Sequence, residues 1–367
     1  MNLNYNGTRE EKGCPMSEPT EDRFSNCAAN TADEGCKPDE YSGGKGAFGE
    51  CGRGKSAPGE CGKAESGPAS KPNPKPTAPA WEDVALAHAN LVLEGGAMRG
   101  QFTAGVLDFF MDQKFFCEYV VGVSAGALCG GNYVAGAPGR SSLINLKYAA
   151  DNRYLSMQSF VRTGNAYGRE FAFHEIPESL EPFDYEAFQR SPIHFEAVST
   201  NLETGEADYH EVHDYHDDLP YLIASSSMPL VSQIVEADGK LLLDGGTSDS
   251  VPLLRSMLTG AKKHIVVLTQ AAGYEKKPNK LMALMRQRYA DYPYYLDRLQ
   301  YRHYEYNRLY RWIEREQAAG RIFVIRPPEP VTVSSMEHDT EKLLALYEQG
   351  LAEAARLWPK LQEYLAS

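Results

Sequence analysis

From residue 81 onward, short apolar runs alternate with stretches in which apolar residues recur at helical spacing. Helical spacing marks residues 102–112 and 125–134, and the second stretch is rich in small residues. The runs that predict strands are residues 89–93, 118–123, 193–200, 240–244 and 264–269. Because these runs hardly alternate with polar residues, they are typical of strands covered on both faces of a sheet. The pattern predicts an α/β fold.

The C-terminal part of the chain has a helical pattern. Residues 334–337, Ser-Ser-Met-Glu, resemble a capping box that starts a helix. The sequence after it places one apolar stripe on that helix, formed by Leu343, Leu346, Tyr347, Leu351, Ala354, Trp358, Leu361 and Leu365. We therefore expect a core at residues 81–275 and a helical C-terminal extension at residues 276–367 that packs on it.

The first 80 residues differ in composition from the rest of the chain. They mix Gly, Pro, Ser, Lys and Glu and have no sustained apolar period that could anchor a core. We expect residues 1–80 to form a disordered, low-complexity tail. Five of the seven cysteines lie in it without the C-x-x-C pairs typical of zinc sites: Cys14, Cys27, Cys36, Cys51 and Cys61. Unpaired thiols are expected, with a redox-sensitive or metal-binding tail as the alternative.

Charge and hydropathy exclude several classes of partner. The formal net charge of -13 argues against nucleic acid, because affinity for its backbone depends on Lys and Arg. Residues 1–12 contain no apolar signal segment, and no run of about 18 uncharged apolar residues occurs. The expected location is therefore cytoplasmic, and peripheral contact with a membrane stays open.

The strongest chemical signal is Gly-Val-Ser-Ala-Gly at residues 122–126, between an apolar strand and a small-residue helix. A nucleophile elbow requires this strand-turn-helix context. Small residues such as Gly122 and Gly126 let the cramped backbone pass and let substrate approach the Ser124 hydroxyl. The alternative is an ordinary tight turn between strand and helix.

A second signal, Glu-Gly-Gly-Ala-Met-Arg-Gly at residues 94–100, also lies between an apolar strand and a helix. Free backbone amides in such a loop could form an oxyanion hole. A loop that binds a nucleotide phosphate is an equal alternative from these residues alone, although G-x-G-x-x-G is not satisfied.

A third signal places Asp244 at the end of an apolar strand, followed by Gly245 and Gly246. In isolation an Asp-Gly turn is the simpler interpretation. Together, however, the three signals fall at strand ends, where α/β sheets gather their active-site residues. We therefore interpret them as parts of one site.

Histidine-based alternatives are weaker. In a Ser-His-Asp order the histidine follows the acid, which leaves His264, His303 and His338, each in a context typical of a structural or surface residue. A metal alternative involves a group of imidazoles and carboxylates: His210, His213, His216, Asp208, Asp214, Asp217 and Asp218. The density of acidic residues favours a solvated loop, so no metal is expected.

Tyrosines and arginines interleave at residues 289–315. Such a segment could stack on bases or lie at a lipid headgroup level. The simpler interpretation is a helical pair whose tyrosines pack and whose arginines keep their charged ends in water.

Residues 91–100, 122–126 and 244–246, in this order and context, resemble the patatin-like phospholipases. Weaker similarities lie at residues 200–205, at 224–229 and around Tyr347 and Gly350, so the resemblance covers about residues 90–364. It implies a three-layer fold with a mostly parallel central sheet. Where the family usually has glycine, this chain has Ala97.

The resemblance implies an acyl hydrolase that cleaves ester bonds of phospholipids, lysophospholipids or other acyl esters without a cofactor or metal. Ser124 would be the nucleophile, Asp244 its proton acceptor, and an acyl-serine the intermediate. The implied oxyanion loop comprises Gly95, Gly96, Ala97, Arg99 and Gly100. A transacylase with the same two residues, or a non-catalytic nucleotide- or anion-binding protein, are the alternatives.

Overall fold

A computed structural model describes residues 78–367. Its centre is a single sheet of eight strands. The strands are β1 (Leu86–Leu93), β2 (Phe116–Val123), β3 (His194–Asn201), β4 (Ala207–Glu211), β5 (Val235–Ala237), β6 (Lys240–Asp244), β7 (His264–Val267) and β8 (Phe323–Ile325). The predicted tail, with its five cysteines, lies almost wholly outside the described residues.

Ten α-helices flank the sheet within the described part of the chain. They are α1 (Gly100–Asp112), α2 (Ala125–Val134), α3 (Arg140–Tyr148), α4 (Met157–Thr163), α5 (Tyr185–Arg190), α6 (Leu219–Ser225), α7 (Leu253–Leu258), α8 (Met282–Arg288), α9 (Pro293–Ala318) and α10 (Thr340–Ala366). A π-helix at Phe171–Leu180 lies between α4 and α5.

The strand order is β5-β6-β3-β2-β1-β7-β8, with β4 paired to β3. Strands β3, β2, β1, β7 and β8 run parallel to one another. Strands β4, β5 and β6 pair antiparallel at one side of the sheet. The predicted α/β class with a mostly parallel sheet is therefore confirmed.

Helices cover both faces of the sheet, so three layers result. Along β1, Leu91 and Leu93 belong to one apolar cluster and Val92 to another, as expected when successive side chains point to opposite faces. The first cluster includes residues of α1, α2 and α10, whereas the second includes residues of α7 and α9. This double coverage explains the continuous apolar runs.

The C-terminal helix α10 packs closely along α1. A side chain at Gly105 would come within 2.2 Å of the Tyr347 carbonyl oxygen, and one at Gly350 within 2.2 Å of the Phe102 carbonyl oxygen. Glycine at both positions therefore allows the two backbones to touch. The helix begins later than the sequence suggested: Asp339 caps it, accepting hydrogen bonds from the amides of Glu341 and Lys342. Residues 334–337, predicted as a capping box, start no helix.

Candidate active site

Ser124 lies on the sharp turn between β2 and α2, with φ of 54° and ψ of -123°. A non-glycine residue in this region costs on the order of 1–3 kcal/mol, so the surrounding structure must hold it there. A side chain at Gly126 would come within 2.5 Å of the Leu93 carbonyl oxygen, and one at Gly122 within 2.7 Å of the Ala127 nitrogen. The close approach of β1, β2 and α2 therefore requires both glycines.

Ser225, at the end of α6, helps to hold this turn. Its hydroxyl accepts a 2.9 Å hydrogen bond from the Ser124 amide and donates one of 2.7 Å to the Val198 carbonyl oxygen of β3. The sequence marked this residue only as part of a weak similarity at residues 224–229. The structure gives that segment a positioning role beside Ser124.

Asp244 reaches the same edge of the sheet by an unexpected route. Because β6 is antiparallel to β3, its carboxyl end would normally lie at the opposite edge from that of β2. Strand β6, however, pairs only with the last residues of β3, so that Asp244 lies beside Ser199. Val123, the last residue of β2, lies beside the adjacent Val198. All three signals lie at strand ends, and an offset register brings Asp244 level with Ser124 although its strand runs antiparallel.

Backbone contacts fix Asp244 in this position. Its amide donates to the Ser227 carbonyl oxygen at 2.9 Å, and its carbonyl oxygen accepts from the Thr200 hydroxyl at 2.9 Å. Its carboxylate accepts from the Gly246 amide at 2.8 Å. A side chain at Gly246 would lie 2.9 Å from that carboxylate oxygen, which explains the glycine after the aspartate.

Ser124 and Asp244 line one cavity, called here the charged cavity. Both are 6% exposed. Burial raises the pKa of Asp244 above its ordinary value of 3.8, while the positive charge of Arg302 and the nearby Ser124 hydroxyl act in the opposite direction. A carboxylate with a raised pKa is a stronger base, which suits proton transfer from an alcohol.

The glycine-rich loop borders the same cavity. Ala97 has φ of 48°, a left-handed conformation that costs an alanine on the order of 1 kcal/mol. The Arg99 amide donates to the Gly96 carbonyl oxygen, and the Gly100 amide to those of Ala97 and Met98. The amides of Gly96 and Ala97 have no such backbone acceptor within the described chain. These two amides are therefore free of the backbone pairing that occupies the amides of Arg99 and Gly100.

Glu94, the first residue of this loop, is buried and fully hydrogen-bonded. One carboxylate oxygen accepts from the Tyr306 hydroxyl at 2.6 Å. The other accepts from the Tyr310 hydroxyl at 2.7 Å and the Thr269 amide at 2.6 Å. The two tyrosines belong to α9, whose role at the site the sequence did not predict. Its tyrosines at these positions are packed, as the simpler interpretation expected.

Two basic residues at the charged cavity were also missed. Arg302 of α9 donates through Nε to the Gly246 carbonyl oxygen. The Lys276 ammonium lies 4.3 Å from the centre of the Tyr306 ring. Burial, reinforced by the positive charge of Arg302, lowers the pKa of Lys276 to about 7.

A second, apolar cavity meets the first at Ser124. Ser124, Leu128, Tyr167 and Phe173 line its mouth. The same Leu128, Tyr167 and Phe173 also line a deeper part, which extends to Ile144 of α3. Arg140, Asn132 and Asn145 also line the deeper part, but most of the surface is apolar, and we call the mouth and the deeper part together the apolar cavity. Ser124 thus lies between a charged space and an apolar one.

The histidines considered in the sequence have other surroundings. His264 hydrogen-bonds to Ser256, and His338 hydrogen-bonds to the Ala149 carbonyl oxygen. None of His264, His303 and His338 lines the charged cavity. His210 pairs with Asp218 at 2.7 Å, whereas His216 stacks on Tyr185. Among residues 78–367, no three His, Cys, Asp or Glu side chains form a group able to hold a metal ion.

Cys117 and Cys129 are buried and form no disulfide within the described residues. None of the helices in the described range combines the length and apolar character needed to cross a membrane.

Comparisons with known proteins agree with this geometry. Residues 91–256 match the patatin-like phospholipase family, and residues 292–366 match a domain of unknown function, DUF6363. The uncharacterized protein YjjU of Escherichia coli (strain K12) is 26% identical over 256 residues, which cover 66% of this chain and 69% of that protein. Lysophospholipase NTE1 of Candida glabrata is 28% identical over 175 residues, covering 46% of this chain but only 10% of that protein.

Among solved structures, the crystal structure of VipD from Legionella pneumophila overlaps 76% of this chain and 68% of that chain, at 12% identity and a TM-score of 0.36. So loose an overlap supports no argument. The family match instead covers the turn of Ser124, the glycine-rich loop and the strand of Asp244 together. Residues 91–256 of this chain are therefore similar to the patatin-like phospholipases over the stretch that holds all three features.

Proposed function

We propose that the protein is a serine acyl hydrolase that cleaves ester bonds of lipids through Ser124 and Asp244. The observation that carries the proposal is the common cavity of the two side chains, which the glycine-rich loop also borders. Asp244 accepts the proton as the Ser124 hydroxyl attacks the ester carbonyl. The alcohol leaves with a proton, and water then hydrolyses the acyl-serine to release a carboxylic acid.

Electrostatic stabilisation supports the attack step. The free amides of Gly96 and Ala97 can donate to the oxyanion, and Ser124 directly precedes α2, where the helix dipole favours negative charge. Loss of one oxyanion donor typically costs about 2.7–4 kcal/mol in the barrier. The strained turn holds the Ser124 hydroxyl at the junction of the two cavities. The hydroxyl therefore need not move before it attacks the ester carbonyl.

The apolar cavity supports a fatty acyl group as the acid part of the ester. A chain bound past Ser124 would contact Leu128 and Phe173 and would run toward Ile144. The charged cavity has a volume of about 490 Å³, within the range typical of small-molecule sites, and can hold the alcohol part. One relative carries the name lysophospholipase, which agrees with a monoacyl lipid as substrate.

The test is a hydrolysis panel of monoacyl lipids and short-chain esters with the wild type, Ser124→Ala and Asp244→Asn. We expect both variants to lose on the order of 10⁴-fold in kcat. Asp249→Asn is the matched control, because this nearby carboxylate hydrogen-bonds to Tyr209 and does not line the charged cavity. Full activity in Ser124→Ala, or equal losses in Asp244→Asn and Asp249→Asn, would contradict the proposal.

A further inference from the structure

The charged cavity contains more basic than acidic groups. Its charged lining residues are Arg99, Lys276 and Arg302 against Glu94 and Asp244. With all five groups ionised, three basic groups and two carboxylates leave an excess of one positive charge. Such an excess in a partly closed space favours an anionic ligand.

The two carboxylates do not pair with these cations. Both oxygens of Glu94 accept hydrogen bonds from neutral donors, and Asp244 accepts from the Gly246 amide. Within residues 78–367, none of the three cations has a carboxylate oxygen at ion-pair distance, that is within 4.0 Å. Two basic residues near them in sequence do form ion pairs. Lys277 pairs with Glu275 at 3.8 Å, and Arg298 pairs with Glu305 at 3.1 Å.

Helix α9 holds two of the cations in place. Arg302 belongs to α9, and its Nε donates to the Gly246 carbonyl oxygen, which leaves its other nitrogens to meet a ligand. Asn307 of α9 binds the backbone of Lys276 twice, accepting from its amide at 2.8 Å and donating to its carbonyl oxygen at 3.0 Å. The third cation, Arg99, has a buried Nε without a partner in the described chain.

Lys276 responds to the excess of positive charge. After burial, the charge of Arg302 is the largest cause that lowers its pKa, and Arg99 also contributes. A bound anion would reverse this effect and restore the charge of the ammonium. Burial is the larger cause, and the neighbouring positive charges add to it.

We infer that α9 completes the charged cavity as a binding site for the phosphate of an anionic lipid headgroup. The preferred substrates are then acyl esters that also carry a phosphodiester, such as lysophosphatidylglycerol. Two guanidinium groups and an ammonium present more donors than the two oxygens of a carboxylate satisfy, whereas phosphate oxygens suit them. The inference rests on the proposed function, because the headgroup is the alcohol part of the ester that Ser124 attacks.

The first test compares lysophosphatidylglycerol with a monoacylglycerol of the same chain length at pH 7. We expect Arg302→Gln and Lys276→Gln to lower kcat/KM for the phospholipid by about 10-fold or more, chiefly through KM. For the uncharged ester we expect a clearly smaller loss than for the phospholipid, because that substrate has no phosphate to bind. The matched controls are Arg308→Gln, exposed on the same helix, and Lys277→Gln, the exposed neighbour of Lys276. Arg302→Lys should recover part of the preference.

Equal losses on both esters would overturn the inference, because they would indicate an effect on Asp244 or on folding. A wild type that hydrolyses the monoacylglycerol at least as well as the phospholipid, with no effect of either substitution, would overturn it while leaving the proposed function intact.

A binding experiment tests the headgroup site independently of hydrolysis. We expect glycerophosphoglycerol, titrated into full-length Ser124→Ala by calorimetry, to bind and to lose about 10-fold in affinity on adding Arg302→Gln. Headgroup binding without hydrolysis of any ester would support the inference and refute the proposed function. No binding, or inorganic phosphate binding as tightly as the headgroup, would overturn the inference.

Discussion

The Tyr306 hydroxyl donates a 2.6 Å hydrogen bond to the Glu94 carboxylate, across 212 positions of sequence. Glu94 follows β1 directly and precedes the glycine-rich loop, whereas Tyr306 lies in the middle of α9. The contact is buried at both ends. It makes α9 a structural support of the loop that borders Ser124.

Replacing Tyr306 with phenylalanine should therefore destabilise the protein. The change leaves an oxygen of buried Glu94 without its donor, which costs about 1–3 kcal/mol. Urea denaturation measures the loss of unfolding free energy. Tyr304→Phe is the control, because that side chain is 60% exposed on the same helix and should change stability little. Equal stability of the two variants would mean that the bond to Glu94 contributes nothing.

The rate should depend on pH through Asp244. Burial raises its pKa above 3.8, and a proton acceptor works only when ionised, so activity should be lost as pH falls through that raised pKa. Arg302 lowers the pKa of Asp244, and so Arg302→Gln should move the acid limb to higher pH. The profile of kcat/KM with an uncharged ester measures this shift without a headgroup charge. An unmoved limb, or one that moves as far in Arg308→Gln, speaks against Asp244 as the titrating group.

Because a residue of α3 lines the apolar cavity, we expect a substitution in α3 to change which acyl chain lengths the protein hydrolyses. Ile144 lines its deeper part, away from Ser124, and a tryptophan there should fill the space that the end of a long acyl chain would occupy. Ile144→Trp should lower kcat/KM for long-chain esters by about 10-fold while short-chain esters react as before. Leu143→Trp, at a 45% exposed neighbouring position, is the control. If both chain lengths lose activity alike, the acyl group binds elsewhere.

Local sequence predicted much of the site because local geometry requires it. The strand, turn and helix around Ser124 are marked by glycines at which any side chain would meet backbone atoms. The glycine-rich loop and the apolar strand ending in Asp244 could be found in the same way. Ala97 occupies a position where the family usually has glycine, and its φ of 48° explains that preference.

Long-range relationships could not be predicted from these patterns. Nothing in residues 240–244 indicates that β6 runs antiparallel to β3 or that the offset register brings Asp244 beside Ser199. The role of α9 could not be predicted for a different reason. Interleaved tyrosines and arginines suit a packed, partly solvated helix as well as they suit a helix that contributes side chains to a site. One signal was available, since Arg302, Tyr306 and Tyr310 recur every four residues and therefore share one helical face.

The central claim is that Ser124 is a nucleophile activated by Asp244. Its most direct measurement is mass spectrometry of the folded protein after reaction with a fluorophosphonate, with the adduct mapped to a peptide. We expect a single adduct on Ser124 in the wild type, none in Ser124→Ala, and much slower labelling in Asp244→Asn than in Asp249→Asn. A folded wild type that stays unlabelled, or an adduct on another residue that persists in Ser124→Ala, would contradict it.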